Sequence, residues 1–201
     1  MSKGGVLIIS GPSGSGKDTL LVRLFERCPE LYFSISSITR PMREGEKEGE
    51  KYHFISREAF DEMIAGNELL EHNTFIGNKY GTPKAPVLAA MERGRDTVIE
   101  VDVNGAAQIR ERLSEAVSIF IMPPSFDELK RRLSGRGTDS AEAVDMRLDS
   151  ALSEIRRAGE YDYIVVNDDI DEAVNKIVTI IEAERQKTAR CTDLINKVLG
   201  K

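Results

Sequence analysis

The chain has 201 residues, of which 40% are hydrophobic and 31% charged, and its formal net charge at pH 7 is −6. This length suits one α/β domain with inserted subdomains, and the composition excludes a disordered chain. The acidic balance disfavours nucleic acid as a partner, and no apolar run approaches the roughly 20 residues of a membrane span. With two cysteines and no visible secretory signal, we expect a reduced, cytoplasmic protein.

Short apolar runs predict buried strands, and amphipathic segments predict the helices between them. The predicted strands cover residues 6–9, 97–101, 117–121 and 163–166. Helical stripes of apolar residues lie at 20–25, 87–91 and 170–181. Buried strands that alternate with helices predict an α/β fold, with a parallel-sheet core and helices on both faces.

Two segments interrupt this alternation within the single domain. Residues 34–83 predict an inserted antiparallel subdomain of mixed α/β content, with strands at 51–55 and 68–74 and a helix at 57–65. Residues 125–147 predict a helical lid, whose helices begin at capping-box patterns at 125–128 and 139–142. The core is then expected at 1–33, 84–124 and 148–189, followed by an extra tail with a short helix at 190–201.

A glycine-rich loop follows the first predicted strand and opens the first helix. Its residues are Gly11, Pro12, Ser13, Gly14, Ser15, Gly16 and Lys17. In such a phosphate-binding loop the backbone N–H groups and the helix N-terminus hold phosphates, and the lysine reaches the β- and γ-phosphates.

The residue after this lysine departs from the usual pattern, which has Ser or Thr there to bind Mg²⁺. Asp18 occupies the position, so we expect the metal hydroxyl to come from Thr19. The role of Asp18 stays open between a first-turn residue favoured by the helix dipole and a water-mediated metal contact.

Arg40 and Arg43 predict a second anion site. Guanidinium groups bind phosphate oxygens bidentately, so two of them on one loop suit a monophosphate. Pairing with Glu44 or Glu46 is the alternative. Together with a triphosphate site, the two arginines indicate phosphoryl transfer between two nucleotides.

Glu100 and Asp102 lie on alternate residues at the end of the predicted strand at 97–101, where open α/β sheets bind ligands. Four roles stay open for these carboxylates. They could hold magnesium through water, orient an arginine, accept from a base amine, or bond neighbouring backbone.

Six stretches of the chain resemble the guanylate kinase family, whose members phosphorylate GMP. They are GPSGSGK at 11–17, SSITRPMREGEKEGEKYHF at 36–54, ELLEHNTFIGNKYGTP at 68–83, VIEVDVNGA at 98–106, LKRRLSGRGTD at 129–139 and YDYIVVNDD at 161–169. The resemblance covers roughly residues 4–185. It implies ATP as phosphoryl donor, Mg²⁺, GMP and dGMP as acceptors, and a monomer or homodimer.

The resemblance also implies roles for single residues. It places Arg40, Arg43, Tyr52 and Tyr80 on the GMP phosphate, Ser36, Glu71 and Thr82 on the guanine, and Asp102 in the same site. It places Lys17, Arg136 and Arg147 at the transferring phosphoryl group, and Asn167 near the ATP purine. Arg131 and Arg132 stay open between an adenine contact and a solvated helix face.

Guanine chemistry agrees with these positions, because one carboxylate can accept from both N1–H and the exocyclic amine of guanine. Adenine presents an acceptor at N1, so a buried Glu71 is expected to reject AMP. Two other functions compete: an inactive guanylate-kinase-like scaffold that binds proteins, and a related sugar-bisphosphate kinase. The lysine and lid arginines argue against the first, and the guanine-reading set argues against the second.

Overall fold

The structure is a computed structural model that describes residues 3–134 and 141–200. Its strands are β1 (Val6–Ser10), β2 (Tyr32–Phe33), β3 (Ser36–Ile38), β4 (Tyr52–Phe54), β5 (Leu69–Phe75), β6 (Asn78–Pro83), β7 (Thr97–Glu100), β8 (Val117–Met122) and β9 (Tyr163–Val166). Its helices are α1 (Lys17–Arg27), α2 (Arg57–Ala65), α3 (Lys84–Glu92), α4 (Val103–Arg112), α5 (Phe126–Ser134), α6 (Ala141–Ile155), α7 (Ile170–Arg185) and α8 (Thr192–Val198). Short 3₁₀ turns lie at Ala158–Glu160 and Thr188–Arg190.

Backbone contacts divide the chain into two compact units, and β1 contributes residues to both. The first unit contains residues 9–29 and the chain from residue 118 onward. Its strands follow the order β1-β8-β9, and β8 and β9 run parallel with Ile119 opposite Tyr163. The central residues of β8, Ile119 to Ile121, are fully buried, which explains why the sequence shows an uninterrupted apolar run there.

Helices complete the first unit. Helix α1 packs against α7 through a buried stripe that includes Leu20 and Leu24. Helices α5 and α6 form their own small core, made of Leu129, Leu133, Leu148 and Ala151. The cores place the N-terminus of α1 and the helices of the predicted lid in one compact unit.

The second unit contains residues 3–8 and 30–117. Here the order is β2-β7-β1, with β2 parallel to β7, and a separate four-stranded sheet has the order β4-β3-β6-β5. Helix α2 begins at Ser56, whose hydroxyl accepts from the Ala59 N–H at 3.1 Å, and buries Phe60. A serine cap before an apolar anchor is a strong helix start signal, and the predicted bounds of this helix are confirmed.

The expectation of an antiparallel subdomain is wrong in one pair of strands. β5 and β6 are antiparallel, as are β3 and β6, but β3 and β4 run parallel, with Ser36 opposite Tyr52. The chain between β3 and β4 is long enough to return to the same end of the sheet before pairing, so the sheet is mixed.

The α/β class and the parallel core sheet are confirmed. The tail carries the expected short helix, α8. The capping pattern at 139–142 begins outside the described residues, and the division into core, insert and lid stays a prediction. Among the described residues, no helix is long and apolar enough to cross a membrane.

Candidate active site

The phosphate loop joins β1 to α1 in the first unit. Ser15 closes the loop by donating its main-chain N–H to Pro12 O at 3.1 Å. Gly14 and Gly16 have positive φ angles of 84° and 83°, which glycine alone adopts readily. A Cβ on Gly16 would also lie 2.5 Å from Asn167 Nδ2. The second and third glycines of the motif are therefore required by backbone angle and, at Gly16, by lack of space.

Two side chains bind the main chain of this loop. The buried Asn167 donates from Nδ2 to Ser15 O at 2.8 Å. Arg132 donates from Nη1 to the same oxygen at 3.3 Å and from Nη2 to Asn167 O at 3.0 Å. Arg132 thus supports the loop, a role that neither of its two sequence-based interpretations included. The purine contact proposed for Asn167 stays a prediction.

Glu128 orients Arg132. Its Oε1 accepts from Arg132 Nε at 2.6 Å and from Arg131 Nη2 at 2.6 Å. The hydrogen bonds from these two arginines lower the pKa of Glu128 to about 2, so the carboxylate is ionised at neutral pH. Arg131 itself is largely exposed. From the sequence, Glu128 was included only as the last residue of a capping-box pattern, although its i,i+4 spacing to Arg132 on α5 also indicates an ion pair.

Lys17 begins α1 and turns its ammonium group toward the loop. Nζ donates to Pro12 O at 3.2 Å and also to Gly11 O. The positive charge therefore lies beside the glycine-rich backbone that would hold phosphates.

The first turn of α1 also offers the oxygens that magnesium prefers. Asp18 and Thr19 are both exposed there. Mg²⁺ in nucleotide sites takes only one or two protein oxygens and completes its shell with water and phosphate. The described residues contain no cluster of three His, Cys, Asp or Glu side chains suited to a metal ion. Asp18 and Thr19 fit a magnesium ion whose other ligands are water and phosphate.

Of the two arginines predicted to lie in the lid, the structure describes one, Arg147. Arg147, on α6, donates from Nη2 to Ser13 Oγ at 3.2 Å, so its guanidinium contacts the phosphate loop. Arg136 lies outside the described residues.

The four-stranded sheet of the second unit carries five of the residues predicted to bind GMP. Ser36 on β3 is opposite Tyr52 on β4, and Tyr80 on β6 is opposite Ile38 of β3. Glu71 and Thr82 are register partners on β5 and β6. Residues distant in the sequence thus share one small sheet.

Glu71, on the edge strand β5, and Thr82, on the neighbouring strand β6, form a buried polar pair. Thr82 donates its hydroxyl to Glu71 Oε1 at 2.7 Å, and the two residues are only 4% and 0% exposed. A Cβ on Gly105 of α4 would lie 2.9 Å from Glu71 Oε2, so glycine leaves room for that oxygen. A buried carboxylate is suited to accept hydrogen bonds from a base.

Burial, with a smaller contribution from the charge of Asp102, raises the pKa of Glu71 to about 7. The hydrogen bond from Thr82 and the charge of Arg112 oppose this rise. The carboxyl group therefore changes its charge near neutral pH. Strongly perturbed groups of this kind concentrate at functional sites.

Arg40 is 9% exposed and is held by Glu46. Its Nη1 and Nη2 donate to the two oxygens of that carboxylate at 2.6 and 2.5 Å, and its guanidinium lies 5.4 Å from the Tyr52 ring centre. Arg43 donates its main-chain N–H to Glu46 Oε2 at 2.8 Å. These donors lower the pKa of Glu46 to about 2. The pairing with Glu46 considered from the sequence is present, and it fixes the arginine loop.

Asp102 caps α4. Its Oδ1 accepts from the N–H groups of Asn104 and Gly105 at 2.9 and 2.8 Å, and its Oδ2 accepts from Asn73 Nδ2 at 2.8 Å. Of the roles left open for this carboxylate, the structure shows bonding to neighbouring backbone. Its contact with GMP stays a prediction. The carboxylate of Glu100 has a different partner, Lys51.

Comparison with known proteins shows the family of the chain. Residues 3–184 match the sequence model of the family described as guanylate kinase. The chain is 51% identical over 174 residues to a guanylate kinase of Nostoc sp., covering 87% of each chain. It is 47% identical over 197 residues to that of Neisseria gonorrhoeae, covering 98% of this chain and 96% of the relative.

A solved structure is similar over nearly the whole fold. The crystal structure of guanylate kinase from Anaplasma phagocytophilum has a TM-score of 0.79 and 36% identity to this chain. The similarity covers 97% of this chain and 95% of the other.

Proposed function

The chain belongs to the guanylate kinase family, and we propose that it transfers the γ-phosphoryl group of ATP to GMP, and to dGMP, in purine nucleotide recycling. An oxygen of the GMP phosphate attacks the γ-phosphorus in line. The bond from that phosphorus to the β–γ bridging oxygen breaks, giving GDP and ADP. The attacking oxygen is already anionic, so the reaction needs no general base.

The donor ATP is assigned to the phosphate loop of the first unit. Backbone N–H groups of the loop bind the phosphates, and Lys17 neutralises the β- and γ-phosphates. Asn167 and Arg132 keep the loop in shape through Ser15 O. Arg147, which contacts Ser13, and Arg136 supply positive charge to the phosphoryl group as its charge spreads in the transition state.

Magnesium is assigned to Thr19, with Asp18 as a second candidate. When bound, the ion screens the phosphate charges and orients the leaving group. The protein's own part is to present these oxygens on the first turn of α1.

The acceptor GMP is assigned to the four-stranded sheet of the second unit. Glu71 accepts from guanine N1–H and the exocyclic amine, while Ser36 and Thr82 face O6. Thr82 can donate to O6 once its hydroxyl turns away from Glu71 Oε1. The phosphate of GMP binds the group formed by Arg40, Arg43, Tyr52 and Tyr80. Asp102 remains assigned to this site, next to Gly105 at the start of α4.

The buried Glu71–Thr82 pair carries the substrate assignment, because it is a specific reason to bind guanine and reject adenine. A coupled assay should show ADP release with ATP and GMP, and a kcat/KM for AMP at least a hundredfold lower. Lys17→Met is the control and should lower kcat about a hundredfold or more. GMP binding without turnover in the wild type would favour a scaffold, and turnover of a ribose phosphate alone would favour a sugar-bisphosphate kinase.

We further propose a cytoplasmic enzyme that acts as a monomer or homodimer. The low cysteine content supports a reducing compartment. Light scattering after size-exclusion chromatography distinguishes the two oligomeric states.

A further inference from the structure

A lysine and a glutamate form an ion pair within the second unit that the assigned roles leave unexplained. Lys51 Nζ lies 2.9 Å from Glu100 Oε2, and the side chains are 39% and 14% exposed. Oε2 is buried, and among the described residues it receives no hydrogen bond of good geometry. The ammonium group of Lys51 is therefore the electrostatic partner of this buried oxygen.

The position of Lys51 in the chain links this pair to the GMP residues. Lys51 directly precedes β4 and its carbonyl accepts from the Ser36 N–H at 3.3 Å. The next residue, Tyr52, is in register with Ser36, and its ring centre is 6.0 Å from Lys51 Nζ. Lys51 thus lies beside Ser36, a candidate for guanine recognition, and Tyr52, a candidate for phosphate binding.

The ion pair between Lys51 and Glu100 connects two strands that belong to different sheets. β4 has three residues and is the edge strand of its sheet, paired with β3. Glu100 is the last residue of β7, which belongs to the other sheet of the unit. The ion pair therefore ties the start of a short edge strand to the end of a strand in the core sheet.

Charge adds a second effect. A buried carboxylate without its cation would repel a phosphate dianion bound nearby, and its own desolvation would be uncompensated. We infer that Lys51 is a positioning residue of the GMP site, which fixes Tyr52 and Ser36 through the start of β4 and neutralises Glu100. The inference rests on the proposed function, since it concerns the acceptor site of that reaction.

The test compares Lys51→Met with Lys51→Arg and with Lys51→Met/Glu100→Gln. Lys47→Met is the matched control, because Lys47 forms an exposed ion pair with Glu50 in the same loop. In Lys51→Met the KM for GMP should rise about tenfold, while kcat and the KM for ATP stay within twofold. Lys51→Arg should recover most of the loss. The double variant should lie closer to wild type, because it also removes the unpaired carboxylate.

Several outcomes would overturn the inference: a KM for GMP in Lys51→Met equal to that of Lys47→Met, a parallel loss in kcat and both KM values, or no recovery in Lys51→Arg. If Lys51→Met does not fold, Lys51→Gln carries the same test. Calorimetric dissociation constants for GMP alone test the positioning role of Lys51 separately from the proposed kinase function. A wild type that binds GMP without turnover contradicts the proposed function, yet the ratio of dissociation constants still tests Lys51.

Discussion

Glu71 combines deep burial with a charge that base recognition requires. The carboxylate must be ionised to accept from both N1–H and the amine of guanine, yet its surroundings favour the protonated form. Bound guanine would supply two N–H donors, which favour the ionised form of the carboxyl group. The ionised form of Glu71 is therefore unfavourable in the free protein and is stabilised when guanine binds.

Replacing this residue should change the choice of base. In Glu71→Gln an amide donor faces guanine N1–H but can meet the unprotonated N1 of adenine. GMP should lose roughly 2–4 kcal/mol of transition-state binding and AMP much less, so the GMP/AMP ratio of kcat/KM should fall at least about tenfold. Arg43→Ala is the control. Both nucleotides carry the same phosphate, so this variant should lower kcat/KM for GMP and for AMP by the same factor. An unchanged ratio in Glu71→Gln would remove Glu71 from base recognition.

The same residue predicts a pH dependence of stability. Its folded pKa of about 7 lies above the ordinary value of 4.5, so the folded state binds the proton more tightly. Stability is then highest below the ordinary pKa and is lost as pH rises toward and through about 7. Relative to Glu71→Gln, the wild type should lose about 2 kcal/mol between pH 5 and pH 8. Urea unfolding of both proteins at several pH values measures this difference. If the free energies of unfolding of the two proteins change with pH in parallel, the pKa of Glu71 in the folded protein is not raised.

Thr19 and Asp18 can be ranked by their response to magnesium. We expect Thr19→Ala to raise the magnesium concentration for half-maximal turnover more than Asp18→Ala, because a neutral hydroxyl beside the phosphates is the usual ligand of this loop. Titrations at saturating nucleotide compare the two variants. The reverse ranking would assign the metal contact to Asp18.

At the scale of elements, the phosphate loop is a turn whose shape depends on its glycines. Gly16→Ala would place a methyl group at a left-handed φ of 83°, against the Asn167 amide that holds Ser15 O. The backbone strain alone is about 1–2 kcal/mol, so we expect ATP binding to weaken at least tenfold and GMP binding to stay unchanged. Calorimetry with each nucleotide measures both. Gly159→Ala is the matched control, since its Cβ would meet nothing within 4 Å. Equal ATP affinity in both variants would contradict the assigned loop.

Elements with strong local signals were predictable from the sequence, and those defined by pairing were not. The apolar runs of β1, β7, β8 and β9 and the capped helix α2 were identified within one or two residues. β2 and β3 have two and three residues, too few to show a period, and were missed. The parallel pairing of β3 with β4 depends on the path of the chain between them, which no local pattern encodes.

The candidate site shows the same division. The glycine loop and the residue types for base and phosphate recognition could be identified from motifs. The contacts of Arg132 with the loop, and the pairing of Lys51 with Glu100, join positions 117 and 49 residues apart. Such contacts depend on how the elements pack, so the sequence could leave Arg132 only as an open alternative.

At the scale of the whole molecule, the chain passes repeatedly between its two units. It runs from residues 3–8 to 9–29, then through 30–117, and returns at 118, and the first boundary falls within β1. The residues assigned to ATP lie in the first unit and those assigned to GMP in the second. A strand that contributes to both units cannot lose its structure in one alone, so we expect a single cooperative unfolding transition.

Either nucleotide should therefore raise the melting temperature of the whole protein. A ligand at about 100 times its dissociation constant stabilises the folded state by about 2.7 kcal/mol, which corresponds to roughly 5–10 °C for a protein of this size. Calorimetric scans with ATP alone and with GMP alone should each shift one undivided peak. Lys17→Met should suppress the shift with ATP and keep that with GMP, and Arg40→Ala should do the reverse. Two separate peaks, each moved by only one nucleotide, would show that the units unfold independently.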